Sequence, residues 1–263
     1  ELPNCIERAV HWAQVTQNPL KVESQAIETP VLLTSEGFSP LFSMVVPPAM
    51  SGEKMVRKES FWSERMNERV INPALSIHDN GLLEGGMASG SRDAEGVPRR
   101  HQALVEGGKL TNMLWSTRDA AQQVAEGRTD AAASTGSANS GGHQSPPSTG
   151  CTELFLTTSE ATRSWEQLLE HMGDGYVVNS VMGAHTANPT SGDFSVTTSA
   201  ILKVENGEVV GALKQAGLSG NLAKAMDAEV VLGADVRRQG SYSSGSMHLP
   251  DVLLMDGLRI NPA

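Results

Sequence analysis

The chain has 263 residues, 39% hydrophobic, 19% charged and 4% aromatic, which is enough aliphatic material for one large domain with a substantial core and too little charge for a disordered chain. No G-X-Y period, sustained heptad or apolar run of about 18 residues occurs, so collagen-like, coiled-coil and membrane-spanning classes are excluded. The 20 Lys and Arg against 30 Asp and Glu give a net charge of −10, the wrong sign for attraction to nucleic acid or an anionic membrane.

The N-terminus has neither a basic region nor an apolar core that would mark secretion, and it lacks an initiator Met, which suggests that residues upstream are missing. Residues 6–17 read as a short lead-in helix with Ile6, Val10, Ala13 and Gln14 on one side and Asn18-Pro19 as its stop. We therefore divide the chain into a lead-in, 1–28, and a domain, 29–263. A strand is expected over Val31 to Leu33, then a helix from Ser39 to about Val45, bending where Val46 precedes Pro47-Pro48.

From residue 70 short apolar runs alternate with turn chemistry. LSIHDN before Gly81 reads as a strand, and ALVEGGKLTNMLW as a hairpin centred on Gly107-Gly108. Residues 127–150 are rich in small residues and Pro and read as a long internal loop, followed by a strand from Cys151 to Leu156. Ser164 to Met172 reads as a helix with a capping box, Ser164 and Gln167, and an apolar face of Trp165, Leu168, Leu169 and Met172. AILKVENGEVVGAL is a hairpin with a type I′ turn at Asn206-Gly207, and Asn221 to Ala228 is another helix. Strands and helices come in runs, so the fold class is β-rich α+β, with antiparallel sheets and hairpins, barrel-like or layered, and a few packed helices.

The usual catalytic signatures are missing. Of the seven histidines no two are closer than 14 residues, so no helical turn carries a metal-ligand pair. G-x-S-x-G does not occur, and Ser89 in GGMASGSR and Ser219 in GLSGN are only near misses. Gly108-Lys109 is followed by Leu110, not Ser or Thr, and GxGxxG is absent, so neither nucleotide motif is supported. Cys5 and Cys151 form no CxxC, which argues against a disulfide scaffold or zinc ribbon and points to a reducing, cytoplasmic compartment. Asp93 and Glu95 are paired carboxylates in a turn. GAHTANPTSGDFS gathers His185, Asn188, Gly192, Asp193 and Phe194 in the most feature-rich loop, although its Asn and Asp equally suit turn capping.

The blocks GGMASGSRDAEGVPRRHQALVEGGKLTNML, STGSAN, GAHTANPTSGDFS, ILKVENGEVVGAL, SGNLAKAM and SGSMHLPDVLLMDGLRI, in that order, resemble the C-terminal domain of the TldD/TldE (PmbA) metallopeptidase family from about Thr29 to Ile260. The resemblance implies a cytoplasmic peptidase in which a TldD-type subunit carries zinc or another divalent metal on an HExxxH helix plus a later cysteine. A TldE-type subunit without metal ligands completes a cavity for unfolded or extended peptide. Anchored on Gly52, the two histidine positions are held here by Ser43 and Pro48 and the glutamate position by Met44. Where the later cysteine belongs this chain has GSYSSGS.

A hydroxyl, a thioether and a pyrrolidine cannot hold zinc and activate water. The chain is therefore expected to be a non-catalytic TldE/PmbA-like subunit that binds no metal itself, with a TldD-like subunit and extended peptide as partners and no nucleic acid or membrane. His185, Asn188, Gly192, Asp193, Phe194, Asp93 and Glu95 are the candidate peptide or partner surface. Two alternatives stay open. One is an active metallohydrolase with a site rebuilt from His78, His101 or His185 with Asp79 or Asp193; the other is a stand-alone peptide-binding scaffold, with a homodimer compatible with the sequence.

Overall fold

The computed structural model describes residues 2–20, 26–240 and 245–262. Two curled sheets enclose one central helix, and the class is α+β as expected. The larger sheet runs in the order β1 (Ile27–Glu28), β17 (Leu258–Pro262), β12 (Ala216–Asn221), β10 (Asp193–Glu205), β9 (Gly175–Met182), β2 (Val31–Leu33), β16 (Val252–Leu254) and β13 (Val230–Leu232), with β11 (Glu208–Leu213) also paired to β10. Its pairs are antiparallel except β2 with β9. The smaller sheet runs β14 (Arg237–Gly240), β15 (Ser246–Leu249), β8 (Glu153–Thr158), β3 (Leu75–Asn80), β4 (His101–Glu106) and β5 (Lys109–Leu110). A two-stranded ribbon joins β6 (Ala138–Asn139) to β7 (Ser148–Thr149).

The larger sheet is buried on both faces around β2, β16, β13 and the start of β9, whereas β17 and β10 alternate buried with exposed residues. Val31, Leu33 and Val178 point into the main core, while Leu32 and Val177 point to a second cluster on the opposite face. That second cluster is covered by α5 (Trp165–Met172) and by Trp12 and Val15 of α1 (Leu2–Val15). The side of α1 carrying Ile6, Val10, Ala13 and Gln14 faces solvent, with Ile6 56% exposed, so the inward face of this helix is the other one.

The helix expected over 39–45 is longer than expected. It is α2 (Ser35–Ala49), which begins earlier and continues through Pro40, Pro47 and Pro48 instead of ending near Val45. Local propensity loses here to burial: α2 packs on β9 and β2 of one sheet and on β14 and β15 of the other, and Phe38, Leu41, Phe42, Val45 and Val46 are buried in the shared core. Thr34 caps it by accepting the Gly37 amide, and its last turn closes through Met50 N–H to Pro47 O and Ser51 N–H to Pro48 O. A short helix, α3 (Gly52–Val56), follows.

The local turn signals hold. Asn206 and Gly207 both have positive φ and close the β10–β11 hairpin, with Glu205 facing Glu208. The β4–β5 hairpin turns at Gly107-Gly108, although its second strand is only two residues long. Asn221 caps α6 (Leu222–Asp227). Ser164 and Gln167 form the expected capping box on α5. We expect Ser164→Ala to cost about 1 kcal/mol of stability in urea unfolding, and the Trp165 environment to loosen with it. Residues 127–150 are not one open loop. They contain the β6–β7 ribbon, pinned by Asp119 Oδ2, which accepts from Thr149 Oγ1 at 2.6 Å. Asp119 lies on α4 (Thr117–Ala125), a helix the sequence reading did not anticipate.

Candidate functional site

All three positions where the metal motif would fall lie on α2. Ser43 is 1% exposed, while Met44 and Pro48 are half-buried. Met44, like Phe61, Met66, Met113 and Val181, is a partly buried side chain packed against the main core. One buried hydroxyl, a thioether and a proline ring do not make a zinc donor set, so a metal does not fit these residues. Among the described residues no group of three or more His, Cys, Asp or Glu is arranged to hold a metal ion. Ser241 to Ser244, in the segment where the resemblance places the later ligand, fall outside the described residues.

The feature-rich loop folds as a self-bonded knot beside α2. His185 is exposed on a single 3₁₀ turn, Ala184–Thr186, that packs on α2. Asn188 Oδ1 accepts the Thr190 and Ser191 amides, and the Gly192 amide returns to Asn188 O at 2.8 Å. Gly192 has φ +82°, which explains the glycine. Asp193 accepts from Ser191 Oγ at 2.6 Å and Asn221 Nδ2 at 2.8 Å, and these bonds hold its carboxyl below the usual aspartate range. Phe194 is 5% exposed in the core, so it is a packing residue and offers little to a ligand.

Asp93 and Glu95 have different partners. Asp93 is buried and accepts the amides of Glu95, Val97 and Ala138, tying its turn to β6. Glu95 accepts the amides of Thr117 and Arg118, capping α4 from 22 residues upstream. Both carboxylates are thus engaged in holding loops. The rebuilt-site residues are likewise dispersed. His78 and His101 are neighbours on β3 and β4, ring centroids 5.8 Å apart, and burial followed by the nearby His101 lowers the His78 pKa. Asp79 is instead turned to Thr152 and Glu153, accepting from Thr152 N, Thr152 Oγ1 and Glu153 N at 2.8 to 3.0 Å. Burial raises its pKa against those bonds. His185 and Asp193 belong to the loop on the larger sheet.

Two arrangements escaped the sequence reading because their parts are distant in the chain. Glu153, fully buried on β8, accepts from Ala88 N at 2.9 Å and from Ser246 Oγ, and its Oε2 lies 3.1 Å from His248 Nε2. The His248 ring stacks on Phe155 at 4.1 Å. Burial pushes the Glu153 carboxyl up, but the bonds from Ser246, Ala88 and His248 outweigh it and hold it below the usual glutamate range.

The second arrangement is a cleft of about 470 Å³ between α1, the start of α2, the start of α5 and residues 233–237. Its floor is an ion network: Arg237 lies 2.8 Å from Asp251 and 3.4 Å from Glu36, and Arg8 lies 3.0 Å from Glu36. Trp12 and Trp165 line it too. Burial raises the Asp251 pKa, and Arg237 opposes that rise. The cleft borders the first turn of α2, where Glu36 lies about 10 Å along the helix from Ser43.

Among the described residues no helix is long and apolar enough to cross a membrane. The fold is shared with TldE from Thermococcus kodakarensis, at TM-score 0.83 and 24% identity over 97% of this chain and 55% of that one. It also matches a protein of Thermotoga maritima described as a putative modulator of a DNA gyrase, at TM-score 0.79 and 29% identity over 96% of this chain and 54% of that one. Metalloprotease PmbA of Escherichia coli O157:H7 is 28% identical over 226 residues, 86% of this chain and 45% of the relative. The chain thus spans about half the length of the curated relatives it matches. The profile of the PmbA/TldA metallopeptidase C-terminal domain matches residues 26–260, and with the two-sheet fold around α2 this shows that the chain belongs to the PmbA/TldA metallopeptidase family.

Proposed function

We propose that this chain is a non-catalytic TldE/PmbA-like subunit, cytoplasmic, that pairs with a TldD-type metallopeptidase subunit and helps to hold extended or unfolded peptide for cleavage there. The observation that supports this reading is α2: its family ligand positions carry Ser43, Met44 and Pro48, and none of them can bind zinc or take a proton from water. Zinc or another divalent metal would then belong to the partner. Peptide holding asks for no reactive group. The edge strand β14 of the smaller sheet has one strand neighbour, whereas the outer side of β5 is already bonded by residues 67–69, and an extended chain can add to an edge such as β14 through main-chain hydrogen bonds.

The test is reconstitution. The purified chain supplied with zinc should leave an unstructured peptide intact for hours, and adding a TldD-type subunit from the same host should start cleavage that a chelator stops. Metal-dependent cleavage by this chain alone overturns the reading. So does a TldD-type subunit whose rate is unchanged by it.

A further inference from the structure

We infer that the cleft between α1 and α5 is a binding site for a single carboxylate carried on an apolar or aromatic body, in the first instance the free C-terminus of a peptide, with Arg163 as the group that reads the charge. The assignment to a peptide rests on the function proposed above, whereas the recognition of a carboxylate rests on the cleft alone.

Arg163 is a half-buried cation lining the cleft. Its backbone is fixed by the bonds Arg163 N–H to Leu232 O at 3.0 Å and Ala234 N–H to Arg163 O at 2.9 Å, so the side chain projects from a rigid anchor. The other two arginines of the cleft are matched within it, Arg8 by Glu36 and Arg237 by Glu36 and Asp251. Among the described residues no carboxylate lies within ion-pair distance of Arg163. A cation partly removed from water without a counterion favours an anion beside it.

The helix starts do not supply this demand, because Thr34 and Ser164 already accept the Gly37 and Gln167 amides. Charge also limits the anion. With Arg8 and Arg237 matched by Glu36 and Asp251, the cleft still carries Glu166 and Asp235 beside Arg163, so a phosphate or other multiply charged ligand would meet stronger repulsion than a single carboxylate, and the carboxylate has Arg163 as its ion-pair partner. Trp12 and Trp165 offer flat apolar surface for the rest of the ligand, and about 470 Å³ lies within the range of about 300–1,000 Å³ typical of small-ligand sites.

The chain reports on this site by itself. Trp62 is 1% and Trp115 7% exposed, whereas Trp12 and Trp165 border the cleft, so a ligand-dependent change in tryptophan emission comes from the latter pair. The experiment titrates the 263-residue chain with an unstructured hexapeptide ending in Leu, with its C-terminal amide, and with N-acetyl-leucine as a free carboxylate that is not a peptide. It repeats each titration on Arg163→Gln and Arg163→Lys, with thermal melts confirming that both variants fold.

The expected result is saturable quenching by the acid peptide, at least about tenfold weaker binding of the amide, a similar loss in Arg163→Gln and partial retention in Arg163→Lys. Weaker quenching by N-acetyl-leucine that also needs Arg163 supports a carboxylate site. If N-acetyl-leucine binds and the acid peptide does not, the carboxylate site stands and its assignment to peptide fails. Equal binding of acid and amide, or binding unaffected by Arg163→Gln, overturns the site but leaves the proposed subunit function untouched, as does no quenching by any of the three.

Discussion

Gly37→Ala should cost about 3 kcal/mol, and Gly37→Val should leave little or no folded protein. A Cβ at this position would stand 2.5 Å from Val178 O, and that carbonyl cannot retreat because it accepts the Thr34 amide at 3.0 Å within the β2–β9 region. The helix would have to lift off the sheet along its whole first half, and Phe38, Leu41 and Phe42 would lift with it. Urea unfolding followed by circular dichroism reads the effect as a lower midpoint at unchanged slope for Ala. An alanine variant with the wild-type midpoint would show that the α2–sheet spacing is looser than the geometry states.

The second large effect is expected at Glu153. Glu153→Ala removes one carboxylate that serves the Ala88 amide, the Ser246 hydroxyl and the His248 ring at once, and it leaves these groups without that acceptor under the turn at 85–90; about 3 kcal/mol is the expected loss. Glu153→Gln keeps the shape but turns an amide NH₂ toward donors, so it should fall between wild type and Ala. The pH dependence has a definite sign. The folded carboxyl is held below its unfolded range, so its contribution is complete above the unfolded value of about 4.3 and is lost as pH falls through the lower folded value. Stability curves of wild type and Glu153→Gln should therefore converge on acidification through that window. Parallel curves down to the lowest pH at which both fold would contradict the assignment.

What could be read in the sequence was local chemistry. The Asn206-Gly207 turn and the Ser164/Gln167 capping box each depend on neighbours within a few residues, and both formed as expected. The course of α2 depended on more remote parts: three prolines argue for a break, but walls contributed by residues 175–182, 237–240 and 246–249 keep the helix continuous. The lead-in helix shows the same limit. Its wheel offers an aliphatic side with Ile6 and Val10 and another with Trp12 and Val15, and only the position of the second cluster decides that the latter turns inward.

The candidate residues divide in the same way. Asn188 and Asp193 cap turns within their own loop, as their residue types allowed. Glu95 caps a helix that begins 22 residues later, and no spacing rule connects them. Glu153 with Ser246 and His248, and Arg163 with the two tryptophans, are assembled from segments as much as 150 residues apart. Neither carries a local motif.

The three prolines of α2 also bear on the order in which the molecule assembles. Each withdraws one amide from the helical ladder, so the carbonyls of Glu36, Ser43 and Met44 cannot receive their usual i+4 donor, and the isolated segment has little reason to coil. Its walls come from strands near residues 32, 178, 239 and 247, whose meeting requires most of the chain to be present. The centre of the protein is therefore a late element: it should wind up only once both sheets have paired, and a nascent chain should stay without a finished core until β15 and β16 have emerged.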